Sequence, residues 1–170
     1  MEKQLEQLYQ NLQKLVGLHR QLLDVVRVER QALVDAELRA IEEATFAKQA
    51  LIESLQRAET ERMRTVAELS LAWKRPLGEL TLNAIILRVQ GDDLKAADQL
   101  RSVYNALAIL IKRVTEQNED NKALVTKSLE HLQQMKFNVL GDTTPKSNTY
   151  NQQGKKAHGT GASRLISQEA

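Results

Sequence analysis

The chain has few or none of the residues on which several protein classes depend. It has no cysteine, so neither a disulfide framework nor thiolate chemistry is available to it. Only 4% of its residues are aromatic, which is low for a mixed sheet protein. Its longest apolar run, residues 106–111, is about a third of the ~20 residues that span a bilayer. The N-terminal residues are charged and lack the apolar core of a signal peptide. We therefore expect a cytoplasmic protein.

An excess of charge of one sign is also lacking. The sequence carries 24 basic and 22 acidic residues, and residues 1–140 balance at 20 of each. A nucleic-acid-binding protein needs a basic face or stripe. Because the two signs here are balanced and interspersed, we expect no nucleic-acid partner.

Arrangements of residues that carry out catalysis are missing as well. Helical bundles bind metals through Glu-x-x-His pairs, but Ser128 and Lys127 precede His131 at the helical positions, and Val16 and Leu15 precede His19. The short Gly159-Thr-Gly161 run follows no predicted strand, so it does not predict a phosphate loop. We expect no metal, no cofactor, no small-molecule substrate, no catalytic residue and no enzyme activity.

What the sequence does contain is amphipathic helix. Apolar residues recur every three or four positions through about residues 1–34, 36–73 and 94–139. In the first stretch they also recur every seven, as in a coiled coil, at Leu5, Leu8, Leu12, Leu15 and Leu22. The pattern predicts an all-α fold, an antiparallel bundle of three long helices with coiled-coil character and an extended third helix.

The predicted helix boundaries depend on a few capping and breaking residues. Asp35 is expected to be the N-cap of the second helix, which places a break there. Pro76 and Gly78 mark the next connection, followed by a short helix from Thr81 or Leu82 to Val89, which Gly91 ends. Either Asp92 or Asp93 is expected to cap the third long helix.

The composition changes at Gly141. Residues 141–170 hold four of the seven glycines, and their large apolar residues are only Tyr150, Leu165 and Ile166. Such a segment cannot bury enough apolar surface to fold by itself. We predict two parts, a helical domain over residues 1–140 and a polar, flexible and mostly disordered C-terminal tail over residues 141–170.

Two asparagines, Asn118 and Asn121, interrupt the apolar face of the third helix. Asparagine is a poor helix former and costs free energy in a core unless it is hydrogen bonded. One interpretation is a polar layer that sets the register of a coiled coil. The other is a polar step at which the bundle ends and an exposed binding face begins. The sequence leaves both open.

The segment around these asparagines, together with other short motifs, resembles the FlgN-like flagellar export chaperones. Short motifs carry the resemblance, and together they extend over essentially the whole chain. They are Glu29-Arg-Gln-Ala-Leu33, Lys48-x-x-Leu51-Ile52-x-x-Leu55 with Arg62, Asn118-x-x-Asn121-x-x-Leu124-Val125-x-x-Ser128-Leu129, Thr149-Tyr150-Asn-x-x-Gly154 and Ser163-Arg164.

The resemblance implies a non-enzymatic cytoplasmic chaperone in flagellum assembly and type III secretion. Its cargo would be the C-terminal helical region of hook–filament junction proteins, which it would deliver to the flagellar export apparatus. The expected cargo-binding residues are Asn118, Asn121, Leu124, Val125, Ser128, Leu129, Leu132 and Met135. Tyr150 is the expected contact with the cytoplasmic domain of the membrane export gate. The alternative is a structural or adaptor coiled coil that acts through self-association, and a weak homodimer also stays open.

Overall fold

A computed structural model describes residues 2–141, which form four α-helices and a short 3₁₀ turn and contain no strand. The helices are α1 (Glu2–Asp35), α2 (Leu38–Trp73), α3 (Leu82–Asp92) and α4 (Leu94–Leu140), and the 3₁₀ turn (Leu77–Glu79) lies between α2 and α3. The predicted all-α class is therefore confirmed. Within the described range, no helix has the combination of length and apolar character that crossing a bilayer requires. The predicted tail from residue 142 onward lies outside the described residues.

Packing divides the chain into two compact units, Met1–Leu129 and Glu130–Ala170. The first unit contains α1, α2, α3 and the larger part of α4. The described part of the second unit is the end of α4, followed by Gly141. The predicted domain boundary after Leu140 stays a prediction, because most of the segment that follows it is not described.

Polar contacts define how α1 and α2 pair in the first unit. The Asn11 side-chain amide donates to the Thr65 hydroxyl at 2.9 Å, and Asn11 and Thr65 are 5% and 4% exposed. Lys14 pairs with Glu61 at 2.8 Å. Farther along α1, Glu29 pairs with Lys48. Partner numbers fall on α2 as they rise on α1, so these two helices run antiparallel.

Helix α4 runs parallel to α1 within the same unit. The start of α4 lies beside the start of α1, where Tyr9 and Leu100 line one cleft. Later on α4, Asn121 bonds to Glu29. Partner numbers therefore rise together on the two helices. The structure adds the short helix α3 to the three long ones, and the full antiparallel three-helix bundle stays a prediction.

Leucine and other aliphatic side chains from all four helices fill the core of the first unit. The main cluster joins Leu8 and Leu12 of α1 to Leu69 of α2, Ile85 of α3 and Leu100 of α4. A second cluster is made of Leu22, Leu23, Val26 and Val114, with Leu51, Leu55 and Leu110 packed against it. The three- and four-residue spacing seen in the sequence is the spacing of these buried positions.

The turn between α1 and α2 corrects the predicted role of Asp35. Asp35 is the last residue of α1, and Ala36 after it has a φ of 54°. The backbone N–H of Glu37 donates to the Ala32 carbonyl at 3.0 Å, and that of Ala36 to Leu33 at 3.4 Å. This is a Schellman motif, which closes a helix through a left-handed residue. The break is where it was predicted, but the N-cap of α2 is Glu37, whose side chain makes no capping bond.

Helix α2 ends in the same way. Lys74 has a φ of 51°, its N–H donates to Leu71, and the N–H of Arg75 donates to Ser70. Residues with a Cβ are disfavoured in this conformation by roughly 1–2 kcal/mol. Two helices therefore end with residues for which the left-handed conformation is unfavourable. Neither helix end has the glycine from which a Schellman motif could be predicted in the sequence.

A single residue joins α3 to α4. The Thr81 hydroxyl accepts from Ala84 at the start of α3, and the Asp93 carboxylate accepts from Ala96 at the start of α4. Of the two aspartates considered, Asp93 is the cap. The predicted end at Gly91 was wrong, because Gly91 stays helical and α3 continues to Asp92. The Asp93 N–H still bonds to Val89, so the helix ends only where the capping residue becomes extended.

Glycine at either left-handed position is expected to stabilise the protein. Ala36→Gly and Lys74→Gly each relieve the Cβ clash but add freedom to the unfolded chain, so we expect a net gain of about 0.5–1 kcal/mol each. Urea denaturation would measure it. Ala50→Gly, at an exposed position inside α2, is the matched control and should lose about 1 kcal/mol. A loss of stability at position 36 or 74 would contradict the strain.

Candidate functional site in the C-terminal half of helix α4

Burial on α4 follows a seven-residue period and then stops. Leu100, Leu107, Val114 and Asn121 are buried at that interval, and Asn121 is the last buried residue of the helix. The next position in the series, Ser128, is exposed, and its hydroxyl donates to the Leu124 carbonyl of its own helix. Asn121 therefore marks the point at which α4 ceases to be part of the core.

A buried carboxylate joins the three long helices at this point. Glu29 of α1 is 8% exposed, and one of its oxygens accepts from the Lys48 Nζ of α2 at 2.5 Å. Its other oxygen accepts from the Asn121 Nδ2 of α4 at 3.0 Å. Arg30, which follows Glu29, and Asp120, which precedes Asn121, form an exposed ion pair at 3.8 Å. We call Glu29, Lys48 and Asn121 the polar layer.

Both the nitrogen and the oxygen of the Asn121 side-chain amide make hydrogen bonds. Its Nδ2 also donates to the Val26 carbonyl at 2.9 Å, and its Oδ1 accepts from Gln117 at 3.3 Å. Buried amides with partners on both atoms are tolerated in cores. The two interpretations of the asparagines therefore meet in one residue, since Asn121 lies in a buried polar layer and also stands where burial ends. Asn118 is half-buried.

Asn121 consequently lines no open surface in this structure. Its predicted contact with cargo stays a prediction, and cargo could reach its side chain only if the polar layer opened. The other predicted residues lie beyond the layer. In the first unit Leu124 is half-buried, while Val125 and Leu129 are 39% and 55% exposed. These large apolar side chains face water, as Ile109 does earlier on the same helix.

The described part of the second unit contains the remaining two predicted cargo-binding residues. Leu132 and Met135 are both exposed, as are Phe137, Val139 and Leu140 near the end of α4. The helix closes with Gly141 at a φ of 68°, and the Gly141 N–H donates to the Phe137 carbonyl at 2.9 Å. The left-handed glycine explains why α4 ends there. Tyr150, the predicted export-gate contact, lies outside the described residues.

Glu29 and Lys48 were not predicted as partners of the asparagines, although the sequence contains a signal for them. Glu29 continues the apolar series of α1 at the spacing of Leu22 and Val26, so a charged side chain falls on a buried face. Lys48 follows buried Ala44 by one turn on α2. Each stands out as a charge on an apolar stripe, but only the folded chain shows that they meet.

A family model described as FlgN protein matches residues 1–158 of the chain. The chain belongs to the FlgN family. This is the family that the sequence motifs resembled, and it is a family of flagellar export chaperones rather than of enzymes. Its members bind flagellar cargo proteins. Neither the curated proteins nor the solved structures give a match to this FlgN-family chain.

Removal of the Asn121 amide should destabilise the first unit. Asn121→Ala leaves the Val26 carbonyl and one Glu29 oxygen without this donor, and we expect a loss of about 2 kcal/mol in the free energy of unfolding. Asn118→Ala, at a half-buried position on the same helix, should lose less than about 0.5 kcal/mol. Urea denaturation of the two variants compares them. Equal losses would mean that the polar layer contributes nothing specific.

Proposed function

We propose that this protein is a cytoplasmic flagellar export chaperone whose cargo is the C-terminal helical region of hook–filament junction proteins. It delivers that cargo to the type III export apparatus of the flagellum. The observation that carries the proposal is the pairing of FlgN family membership with unburied apolar side chains after Asn121 on α4. The alternative is a structural or adaptor coiled coil that uses the same side chains for self-association.

The proposed cargo-binding residues suit the docking of an amphipathic helix. Helix-in-groove recognition uses apolar anchors at three- and four-residue intervals, as Val125, Leu129 and Leu132 provide. Burying roughly 600 Å² of apolar surface would contribute about 15 kcal/mol before costs. Loss of translational freedom and ordering of the cargo offset much of this. The remainder suits a cargo that must be released for export.

A preformed helix lowers one of those costs. An isolated helix is marginal in water because its first turn is costly to form, whereas each added residue extends an existing helix cheaply. Helix α4 is packed into the core as far as Val114 and Asn121, so the core stabilises the earlier turns of the helix. The exposed residues that follow extend a helix that already exists. Cargo then meets ordered backbone, and less conformational entropy is lost on binding.

Leu129→Asp tests the cargo-binding face. It places a charge where cargo would bury an apolar side chain, so cargo affinity should fall by more than about 2 kcal/mol. Because Leu129 is 55% exposed, helicity should be retained. Titration calorimetry with the C-terminal segment of a hook–filament junction protein measures affinity, and circular dichroism measures helix content. Unchanged affinity would reject the face, and lost helicity would show that Leu129 belongs to the core.

Ala123→Asp is the matched control for this variant. Ala123 is an exposed residue of the same helix, and helical spacing places it away from the side of Val125 and Leu129. It should bind cargo as the unmodified protein does. Analytical ultracentrifugation of the unmodified protein and Leu129→Asp tests the alternative. A stable dimer that Leu129→Asp converts to monomer would favour self-association over cargo binding.

Tyr150 is proposed to contact the cytoplasmic domain of the membrane export gate. The proposal rests on the family resemblance and on the sequence around the tyrosine, in which Asn148, Thr149, Asn151, Gln152 and Gln153 offer no apolar neighbour. Aromatic side chains contribute strongly to interfaces, and one isolated ring suits a weak, transient contact. The alternative is that the tail binds cargo through Tyr150, Leu165 and Ile166.

Tyr150→Ala should reduce affinity for the gate domain and secretion of the cargo. Because Tyr150 is absent from the proposed cargo-binding face, cargo affinity and thermal stability should stay within error. Tyr150→Phe is the matched control and should retain most gate affinity, since it keeps the ring. Binding assays with cargo and with the gate domain measure the two effects separately. Loss of cargo affinity in Tyr150→Ala would instead assign the tail to the cargo site.

A further inference from the structure

The two most exposed large apolar side chains of the described residues lie on one side of α2. Phe46 and Leu71 are each 80% exposed. They are 25 residues apart, which is about seven helical turns, so they project in the same direction to within about 20°. This side of α2 points away from the core, because Ala44, Ala58 and Leu69 are buried on the opposite side. Single exposed apolar side chains are common, but these two belong to a longer pattern.

Six further residues on this side of α2 connect Phe46 to Leu71 at alternating intervals of four and three. We call the eight residues the outer seam, and in chain order they are Phe46, Ala50, Glu53, Arg57, Thr60, Arg64, Ala67 and Leu71. Seven of them are exposed, and Ala67 is half-buried. Intervals of four and three are those of the positions that meet in a coiled coil. A second helix can therefore lie along the outer seam for about 38 Å.

The outer seam is complementary to itself when its direction is reversed. Its end residues are apolar, the next residues inward are alanines, and the residues after those carry opposite charges. An arginine and a threonine meet at the centre. Counted from the ends inward, the reversed pairs are Phe46–Leu71, Ala50–Ala67, Glu53–Arg64 and Arg57–Thr60. A second copy of α2 that runs antiparallel would therefore meet a complementary residue in each of the three outer pairs.

Charge on the exposed side of α2 is divided between its two ends. Among exposed residues, the range 42–53 holds three carboxylates and no cation, whereas the range 64–75 holds three cations and one carboxylate. Lys48 falls within the first range, but it is half-buried and pairs with Glu29 in the polar layer. An antiparallel second copy would bring the acidic end of one α2 to the basic end of the other.

Several of these charges already have a partner within the chain. The pairs are exposed and join residues four apart, namely Arg39–Glu43, Glu53–Arg57, Arg64–Glu68 and Arg75–Glu79. Exposed ion pairs at this spacing are weak, because water screens the charges and both side chains lose rotational freedom. The charges of the outer seam therefore remain available to a partner helix.

We propose that the outer seam is the interface of a weak homodimer, in which the α2 helices of two copies pair antiparallel. In a twofold-symmetric interface every complementary pair occurs twice, so both halves of the outer seam are matched. Parallel pairing would instead place Glu53 against Glu53 and Arg64 against Arg64 of the second copy. Charge complementarity therefore favours a second copy as the partner and sets its direction. The outer seam contains no residue of α4 and is separate from the proposed cargo-binding residues.

The central part of the outer seam keeps this dimer weak. Phe46 and Leu71 contribute its only large apolar groups, and the four residues between the alanines are polar or charged. The Arg57 side chains of the two copies also approach each other at the twofold axis, which opposes association. A single helix pair of this kind belongs to the size class of transient interfaces. We expect a dissociation constant on the order of 0.1 mM.

Introduced cysteines test the geometry, because the chain has none of its own. In the antiparallel pair, position 46 of one copy lies beside position 71 of the other, whereas the two positions 46 lie about 38 Å apart. Because a disulfide needs Cα atoms within about 7 Å, oxidation of mixed Phe46→Cys and Leu71→Cys proteins should yield a covalent dimer about tenfold faster than oxidation of either protein alone. Equal rates in the mixture and in the separate proteins would overturn the inference.

A charge exchange tests the pairing itself. Glu53→Arg and Arg64→Glu each place two pairs of like charges in the dimer, and each should weaken association about tenfold or more. An equimolar mixture of the two variants should associate as the unmodified protein does, because each supplies the charge that the other lacks. Arg20→Glu is the matched control, since it makes the same change at an exposed position of α1, and it should leave association unchanged.

Sedimentation equilibrium at about 0.5 mM protein measures association, and circular dichroism verifies helix content. An unmodified protein that stays monomeric at this concentration would overturn the inference, as would a mixture of the two charge variants that fails to associate. A dimer that Leu129→Asp dissociates and Glu53→Arg does not would assign self-association to α4 and would also overturn it.

Cargo binding separates this inference from the proposed function. The outer seam lies outside the proposed cargo-binding residues, so Glu53→Arg should bind the junction-protein segment as the unmodified protein does. A failure of that segment to bind any of these proteins would reject the proposed cargo and leave the dimer standing. Loss of cargo affinity in Glu53→Arg alone would show that the exposed side of α2 binds cargo rather than a second copy.

Discussion

The Glu29 carboxylate accepts hydrogen bonds from Lys48 of α2 and Asn121 of α4, and this buried contact fixes three long helices at one level. A buried charge is costly unless it is paired and hydrogen bonded, and removing one partner of such a pair typically costs more than the pair contributes. Sliding any helix by a turn would separate these atoms. Apolar leucine faces tolerate such slips far better, since one leucine can replace another. The polar layer therefore sets the register of the three helices, whereas the leucines supply the hydrophobic stabilisation.

A second polar contact holds α1 and α2 toward their other ends. The Asn11 amide and the Thr65 hydroxyl are buried together, and the exposed Lys14–Glu61 pair lies one turn away. Between the two contacts the core is aliphatic, and the turn after Asp35 closes the hairpin through a strained Ala36. Such strain persists because packing on both sides determines the turn more strongly than the local preference of alanine.

The polar layer also separates the two roles of α4. Up to Asn121 the helix buries one apolar side in the core, while Ile109 and Ile111 elsewhere on the helix stay exposed. After it, no residue of the helix is buried, and its large apolar side chains are mostly exposed to water. An exposed apolar face is a liability unless a partner covers it. In this FlgN-family protein the proposed partner is the cargo. The same helix then contributes both to the fold and to the proposed cargo binding.

The sequence by itself determined the helical class, the extents of the long helices to within a residue or two, and the family. These follow from local information, namely apolar spacing, capping residues and short motifs. The sequence could not show that Ala36 and Lys74 would adopt left-handed conformations, because nothing in either side chain favours them. Nor could it choose between core and surface for the asparagines, since both lie on the same helical stripe. Only the tertiary structure decided that Asn121 is buried and Leu129 exposed, because burial depends on whether another helix lies opposite, and spacing along one helix carries no information about that.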